Sequence, residues 1–190
     1  MKDEIILAYI KKNLRKKRYE HSLRVSDCCR ELAKLYGADM EQAALAGLVH
    51  DCVRENTRAE LEEMIQKEGL QLPEESYQVE ELLHGPAAVY ICHQMFGIED
   101  QEILNAVQFH TTGRKHMTLL DKILFTADFI EPGRKFAGVE AVRRVAYQDL
   151  DKAVIMSLDS SISYLLQSGG IIHPDSIFAR NDLIGGRIHG

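Results

Sequence analysis

The chain has 190 residues, of which 45% are hydrophobic and 27% charged, a composition typical of one soluble globular domain. Its net charge of −6 argues against extensive binding to nucleic acid, so no stable nucleic-acid complex is expected. No apolar run is long enough to cross a membrane, and the N-terminus lacks the apolar segment of a signal peptide, so no membrane association is expected.

The cysteines indicate a reducing compartment. Cys28 and Cys29 are adjacent, Cys52 and Cys92 stand alone, and none forms a Cys-x-x-Cys pair. Adjacent cysteines make a poor disulfide, so we expect free thiols and a cytoplasmic location.

The spacing of apolar residues predicts an all-α fold, a single-domain helical bundle over residues 1–190. No segment shows the period-two alternation of a strand. Gly37 is expected to end one helix, Asp39 and Thr57 to cap the next two, and residues 171–190 to be mostly irregular with a short helix after Pro174. Helices are predicted at about 3–16, 20–36, 40–51, 57–67, 77–95, 99–110, 118–130, 138–147 and 149–168.

Two of these helices have features that bear on function. The helix over 40–51 is rich in Ala and Gly between residues 43 and 47, which allows neighbouring backbones to come close, and it ends in His50 and Asp51. In the helix over 77–95, Pro86 predicts a kink or a new start, so His84 is expected at a helix break or a helix start.

A basic run at residues 11–18 has two interpretations. It contains six cations in eight residues, Lys11, Lys12, Arg15, Lys16, Lys17 and Arg18. It is either a patch that attracts anions or the solvated end of a helix, with cations near the negative pole of the helix dipole. Since most charge runs are solvated faces, the second interpretation is favoured.

Five helical segments place a histidine or an aspartate on an inward face. One such histidine is usually a hydrogen-bonded core residue, but buried carboxylates are rare and need a partner. A shared metal site explains all of them together. The predicted ligands are His21, His50, Asp51, His84, His110 and Asp128. His93 is expected to face outward, and His116, His173 and His189 are left out of the metal shell.

The motifs resemble those of a known family. The pattern His21, His50-Asp51 and Asp128 looks like the HD-domain metal phosphohydrolases, and the additional His84 and His110 resemble the subgroup that holds two metals. The stretches 109–114 (Phe-His-Thr-Thr-Gly-Arg) and 127–134 (Ala-Asp-Phe-Ile-Glu-Pro-Gly-Arg) are similar to the YqeK-type family. These bacterial HD-domain symmetrical bis(5′-nucleosyl)-tetraphosphatases split diadenosine tetraphosphate into two ADP.

The resemblance implies a two-metal mechanism in a metal-binding core of about residues 19–135, followed by C-terminal helices and a tail at 136–190. Iron, or manganese or zinc, would be held at one site by His21, His50, Asp51 and Asp128. His84 and His110 would hold a second ion, with Asp51 bridging, and a metal-activated water would attack phosphorus. Asp51 and Arg54 are the expected catalytic residues; Arg54 stands near a position where HD proteins often carry lysine, and it would bind phosphate as a planar fork.

Candidate substrate contacts surround this core. Guanidinium groups match phosphate oxygens, and hydroxyls or a glycine backbone allow close approach to a nucleotide. Ordinary surface arginines and a helix-end threonine are the alternative interpretation. The candidates are Arg24, Thr111, Thr112, Gly113, Arg114, Arg134 and Arg180.

Two other functions remain open at the level of sequence. One is an HD-type phosphohydrolase acting on other nucleotides, because a metal shell contacts only phosphate. The other is a non-catalytic, metal-stabilised nucleotide-binding module, for which the basic run is the best feature. The sequence carries no signal for the number of subunits and is compatible with a homodimer.

Overall fold

The computed structural model describes residues 2–189, which form ten α-helices and two short 3₁₀ segments. The predicted all-α fold is therefore confirmed for the described residues. The 3₁₀ segments are Glu74–Gln78 and Glu80–Leu82. The helices are α1 (Lys2–Asn13), α2 (Lys16–Tyr36), α3 (Met40–Val49), α4 (Arg58–Glu68), α5 (His84–Gln94), α6 (Gln101–Phe109), α7 (Leu119–Ile130), α8 (Val139–Ala146), α9 (Leu150–Ser168) and α10 (Pro174–His189).

Local signals account for several helix ends. Gly37 ends α2 in the left-handed conformation, with φ of 75°. The carboxylate of Asp39 accepts hydrogen bonds from two backbone amides of α3, and Thr57 forms a capping box with Glu60 at α4. Pro86 lies in the first turn of α5, where its missing N–H has no partner to lose, so the helix begins at His84 rather than at residue 77.

Two further boundary predictions were wrong. Helix α1 ends at Asn13 and α2 begins at Lys16, four residues earlier than predicted. Lys16, Lys17 and Arg18 therefore lie at the positive N-terminal pole of α2. The tail is a helix over Pro174–His189 rather than mostly irregular.

The main core lies between α2, α3, α5, α6 and α7. Its apolar side chains include Val25, Leu32, Val49, Val107 and Leu124, each fully or almost fully removed from solvent. Burial of this surface is the main stabilising contribution to the fold, and it brings the inward faces of these five helices together.

A glycine allows a close contact between α2 and α3 in this core. A Cβ atom added to Gly47 of α3 would lie only 2.9 Å from the Cα of Ser26 in α2. The predicted close approach of the Ala/Gly-rich helix is thus present, and it places His50 beside the face of α2 that carries His21.

A second apolar cluster joins the C-terminal helices to the rest of the molecule. Met117 and Phe125 pack against Val154 and Leu158 of α9 and against Ala179 and Leu183 of α10. Among the described helices, none has the length and apolar character required to cross a membrane.

Candidate metal centre

The four predicted histidine ligands share one hydrogen-bonding arrangement. The Nδ1 atoms of His50, His84 and His110 lie 2.7, 2.5 and 2.7 Å from backbone carbonyl oxygens of Gly47, Glu81 and Val107. A carbonyl oxygen can only accept, so each Nδ1 carries the proton and each Nε2 presents a lone pair. In His21, Nδ1 lies 3.1 Å from the carboxylate of Glu131, with the same consequence.

These lone pairs converge on Asp51, whose two carboxylate oxygens face different histidines. Oδ2 lies 3.6 Å from His21 Nε2 and 3.3 Å from His50 Nε2. Oδ1 lies 3.1 Å from His84 Nε2 and 3.8 Å from His110 Nε2. One carboxylate therefore stands between two pairs of histidines, which is the arrangement that a bridging ligand requires.

Asp128 lies on the side of the cluster formed by His21 and His50. Its Oδ1 is 3.0 Å from His21 Nε2 and 3.9 Å from His50 Nε2. The same oxygen accepts a hydrogen bond from Arg134, whose Nε also donates to the backbone carbonyl of Asp128. The carboxylate thus has an arginine partner as well as the histidines.

Burial and the neighbouring charges shift the pKa values of residues in the cluster. Burial disfavours the charged form of Asp51, but the neighbouring His50 and His84 outweigh it and hold the pKa of Asp51 well below its usual range. Burial, followed by the charges of His84 and His50, lowers the pKa of His110 to about 3, so this imidazole is neutral near pH 7. Neutral imidazole and ionised carboxylate are the forms that bind metal.

The donor set fits a divalent cation. The Nε2 atoms of His21 and His50 are buried without a hydrogen-bond partner among the described residues. The Nε2 atoms of His84 and His110 are 2.9 Å apart, although both Nδ1 protons are used elsewhere, so two lone pairs face each other. Such an arrangement fits a cation. The ligand atoms fall into three overlapping groups, and within each group they lie within 4.8 Å of one another.

Glu131 is a supporting residue that sequence reasoning missed. Its buried carboxylate accepts hydrogen bonds from His21, from Arg24 at 2.5 Å and from the backbone N–H of Gly133 at 2.6 Å. Burial alone would raise the pKa of Glu131, but these donors lower it from its ordinary value. Glu131 therefore orients His21 and Arg24 together, and its position three residues after Asp128 was the available signal.

Arg18 was also missed as a site residue. Its Nη1 lies 2.7 Å from Asp51 Oδ2, and its side chain is 30% exposed. With Arg15, Lys17, Arg24 and other residues, Arg18 lines a cavity of about 610 Å³ that reaches His21. The structure therefore favours the anion-attracting interpretation for Arg15, Lys17 and Arg18, whereas Lys11 and Lys12 are exposed near the end of α1.

Arg24 and Arg134 line this same basic cavity, together with Lys135 and Phe136. Both side chains are about one-third exposed, 34% and 32%, and each holds a carboxylate while lining the cavity. Their predicted substrate contacts stay predictions.

The other two predicted substrate arginines pair with carboxylates outside the cluster. Arg114 pairs with the buried carboxylate of Asp121 at 2.8 Å, and Arg180 pairs with Asp159. Arg54, the predicted catalytic arginine, is linked to the cluster by its backbone N–H, which donates to the carbonyl of Asp51. Its catalytic role stays a prediction.

The predicted loop after His110 contacts the cluster at one point. Thr111 Oγ1 lies 3.3 Å from His110 Nε2, whereas Thr112 Oγ1 donates to the carbonyl of Gly113. Gly113 has φ of 68°, and an added Cβ would lie 3.1 Å from Ala179 of α10. The backbone of Gly113 therefore lies close to that helix. The substrate roles of this loop and of the other arginines also stay predictions.

The histidines left out of the metal shell lie elsewhere. His116 pairs with Asp182 on the surface at 3.2 Å, and His173 contacts Ser76 Oγ at 2.9 Å. The outward orientation predicted for His93 is confirmed: its side chain is 44% exposed and lies 2.9 Å from Glu68. The side chain of His189 lies outside the described residues.

We expect His93→Ala to leave catalytic turnover within about two-fold of the wild type, because exposed pairs of this kind contribute little and lie outside the cluster. Steady-state kinetics and metal analysis of the purified variant measure this. A large loss of turnover would contradict the inference that the outward-facing His93 has no part in catalysis.

Comparisons with known proteins agree with this geometry. The HD domain model matches residues 18–133. A protein named symmetrical bis(5′-nucleosyl)-tetraphosphatase from Halalkalibacterium halodurans is 42% identical over 178 residues, covering 94% of this chain and 95% of that protein. A Bacillus subtilis protein of the same name is 35% identical, covering 98% of this chain and 100% of that protein.

A solved structure is similar over nearly the whole fold. The crystal structure of a predicted HD superfamily hydrolase involved in NAD metabolism, from Clostridium acetobutylicum, has a TM-score of 0.94 and 44% identity. The match covers 96% of this chain and 97% of that one. The family match, the relatives and the His/Asp cluster agree. The chain belongs to the HD-domain family and, within it, to the family of the relatives named symmetrical bis(5′-nucleosyl)-tetraphosphatase.

Proposed function

We propose that this protein hydrolyses diadenosine tetraphosphate to two ADP in a metal-dependent reaction. The observation that carries the proposal is the position of Asp51, whose two oxygens each face a different pair of histidine Nε2 atoms. The names of the relatives support the choice of substrate, because this chain matches two of them over nearly their full length.

We further propose two divalent ions, with iron as the expected metal and manganese or zinc as alternatives. His21, His50, Asp51 and Asp128 would hold one ion, and His84 and His110, with Asp51 shared, would hold the other. Mixed imidazole and carboxylate ligands suit all three metals. When bound, such ions activate water as a nucleophile and neutralise charge on phosphate oxygens.

The residues of the chain contribute position and charge. Arg18, Arg24 and Arg134 direct guanidinium groups into the cavity beside the cluster, where they can bind the phosphates of an anionic substrate. Arg18 and Arg134 each contact a proposed metal ligand, so the same groups position ligand and phosphate. The leaving group is a nucleoside diphosphate, which needs little help from a proton donor.

A product assay tests the proposed reaction. The purified protein is loaded with iron, manganese or zinc and given diadenosine tetraphosphate, and the products are separated by anion-exchange chromatography. ADP as the only product is the expected result, and removal of metal with a chelator should abolish its formation. Formation of ATP and AMP, or no turnover with any of the three metals, would contradict the proposal.

Arg134→Ala should raise KM for diadenosine tetraphosphate about 10-fold, because a hydrogen bond to a charged group is lost. Metal content should be retained, since Asp128 is still present. Kinetics and metal analysis measure both, with Arg30→Ala as the control, since Arg30 pairs with Glu41 on the surface. If metal is lost together with affinity, Arg134 positions Asp128 rather than the substrate.

We also propose that residues 1–190 form a single domain whose C-terminal part, 136–190, completes the metal-binding core of about 19–135. The packing of Met117 and Phe125 against α9 and α10 supports a single domain, because it joins the two parts. A cytoplasmic location is proposed from the four cysteines, which are buried free thiols.

A further inference from the structure

A second cleft, of about 990 Å³, shares Phe136 with the basic cavity. It begins beside the metal cluster, because its lining includes Thr111, which touches His110, and Phe129, which directly follows Asp128. Phe136 lines both cavities and packs edge-to-face on Phe129 at a ring distance of 4.8 Å. The volume is in the range of about 300–1,000 Å³ that small-molecule sites occupy.

The lining of this cleft has a different chemistry from that of the basic cavity. Among the described residues that line it, none is a lysine or an arginine. Aromatic rings are supplied by Phe129, Phe136 and Tyr164, and Tyr164 is 70% exposed although it is large and partly apolar. Hydroxyl and amide groups come from the C-terminal half of α9, at Ser160, Ser161, Ser163 and Gln167.

Such a wall does not suit a phosphate, which needs cations or amide donors. It does suit a neutral group that combines an aromatic face with several hydrogen-bonding atoms, since aromatic side chains stack on bases and hydroxyls pair with sugar and ring atoms. The metal cluster lies at the junction of an apolar, hydroxyl-rich cleft and a strongly basic cavity.

We propose that this cleft, between the Phe129–Phe136 pair and the C-terminal half of α9, binds one nucleoside of the substrate while the basic cavity binds its phosphates. The inference rests on the proposed function, in which each product is a nucleoside diphosphate. Phe136 then stands at the boundary between the nucleoside and the phosphates, and Tyr164 contacts the base.

The test compares two probes on the metal-loaded, full-length protein by isothermal titration calorimetry. ADP carries a nucleoside, and inorganic pyrophosphate does not. In the wild type, ADP should bind about 10-fold more tightly than pyrophosphate, the size expected from stacking one base. Tyr164→Ala, and Ser161→Trp, which fills the cleft from an exposed position, should reduce this ratio about 10-fold while pyrophosphate affinity stays unchanged.

Leu166→Ala is the matched control, because Leu166 is a large apolar residue on the same helix, 67% exposed, and does not line the cleft. It should behave as the wild type. Equal affinities for ADP and pyrophosphate in the wild type, or wild-type ratios in both cleft variants, would overturn the proposal. The proposal would also be overturned if a cleft variant changed the molecular mass measured by light scattering while its ADP affinity stayed unaltered. A second copy of the chain, and not a nucleoside, would then cover the cleft. The wild-type product assay reports separately on the proposed reaction, and its failure leaves the comparison of ADP with pyrophosphate readable.

Discussion

Asp51→Ala is expected to remove metal and turnover together, with hydrolysis falling by more than about 100-fold. The physical reason is that Asp51 is the one carboxylate in the described cluster whose oxygens contact both pairs of histidines. Without it, His84 and His110 lose the anion next to their facing lone pairs, and His21 and His50 keep only Asp128. Elemental analysis of the purified variant and a product assay measure the two losses.

The control must separate loss of metal from loss of folding. Asp121 of α7 is equally buried but pairs with Arg114 and the backbone N–H of Thr118, away from the cluster. Asp121→Asn should therefore lower the thermal stability while retaining metal, whereas Asp51→Asn should retain most of the fold and lose metal. Turnover at the wild-type level in either Asp51 variant would refute the two-ion proposal.

The six proposed ligands could be predicted from the sequence because each signal was local. His21, His84, His110 and Asp128 each lie on the inward face of a helix whose apolar period is clear, and His50-Asp51 ends a helix of small residues. Convergence of these faces then follows from burial of the apolar stripes. The sequence could not reveal which oxygen of Asp51 faces which histidine, because that depends on tertiary packing.

The roles of Arg18 and Glu131 could not be predicted, for different reasons. Because α2 begins at Lys16 rather than at residue 20, Arg18 lies three residues before His21 on the same helical face. In the sequence it was one cation among six, with nothing to distinguish it. Glu131 acts through His21, which is 110 residues away in the chain. Its position three residues after Asp128 places it near a ligand but does not reveal this contact.

The C-terminal helix was predicted to be short, in a mostly irregular tail, because its local propensity is poor. Gly185 and Gly186 weaken a helix, and Gly169 and Gly170 precede it as a break. Its stability comes instead from tertiary contacts, since Ala179 and Leu183 are buried against the cluster that contains Met117 and Phe125. The packing of α10 also explains why residue 113 is a glycine, since an added Cβ would lie 3.1 Å from Ala179.

Gly85→Ala is expected to destabilise the fold by about 1–3 kcal/mol and to weaken metal binding. Gly85 lies in the first turn of α5, next to His84, and an added Cβ would lie 2.7 Å from the carbonyl oxygen of Gln108 and 3.1 Å from that of Val107. Both atoms belong to the backbone of α6, which cannot move aside as a side chain can. Thermal unfolding and metal titration measure the two effects.

The weakening of metal binding follows from the position of the clash. The same Cβ would lie 3.3 Å from His110 Nδ1, and the Val107 carbonyl it approaches is the group that orients His110. Separating α5 from α6 therefore moves His84 from His110 and disturbs the tautomer that presents His110 Nε2 to the metal. Both histidines belong to the same proposed ion site, so occupancy of that site should fall first.

Gly185→Ala is the matched control, because Gly185 is also helical but has no atom within 4 Å of an added Cβ. Removing a glycine from such a position should be neutral or stabilise the helix by up to about 1 kcal/mol. Opposite signs for the two substitutions would establish that contact between α5 and α6, and not helix propensity, governs Gly85. If Gly85→Ala were as harmless as Gly185→Ala, the spacing of His84 and His110 would not depend on this glycine.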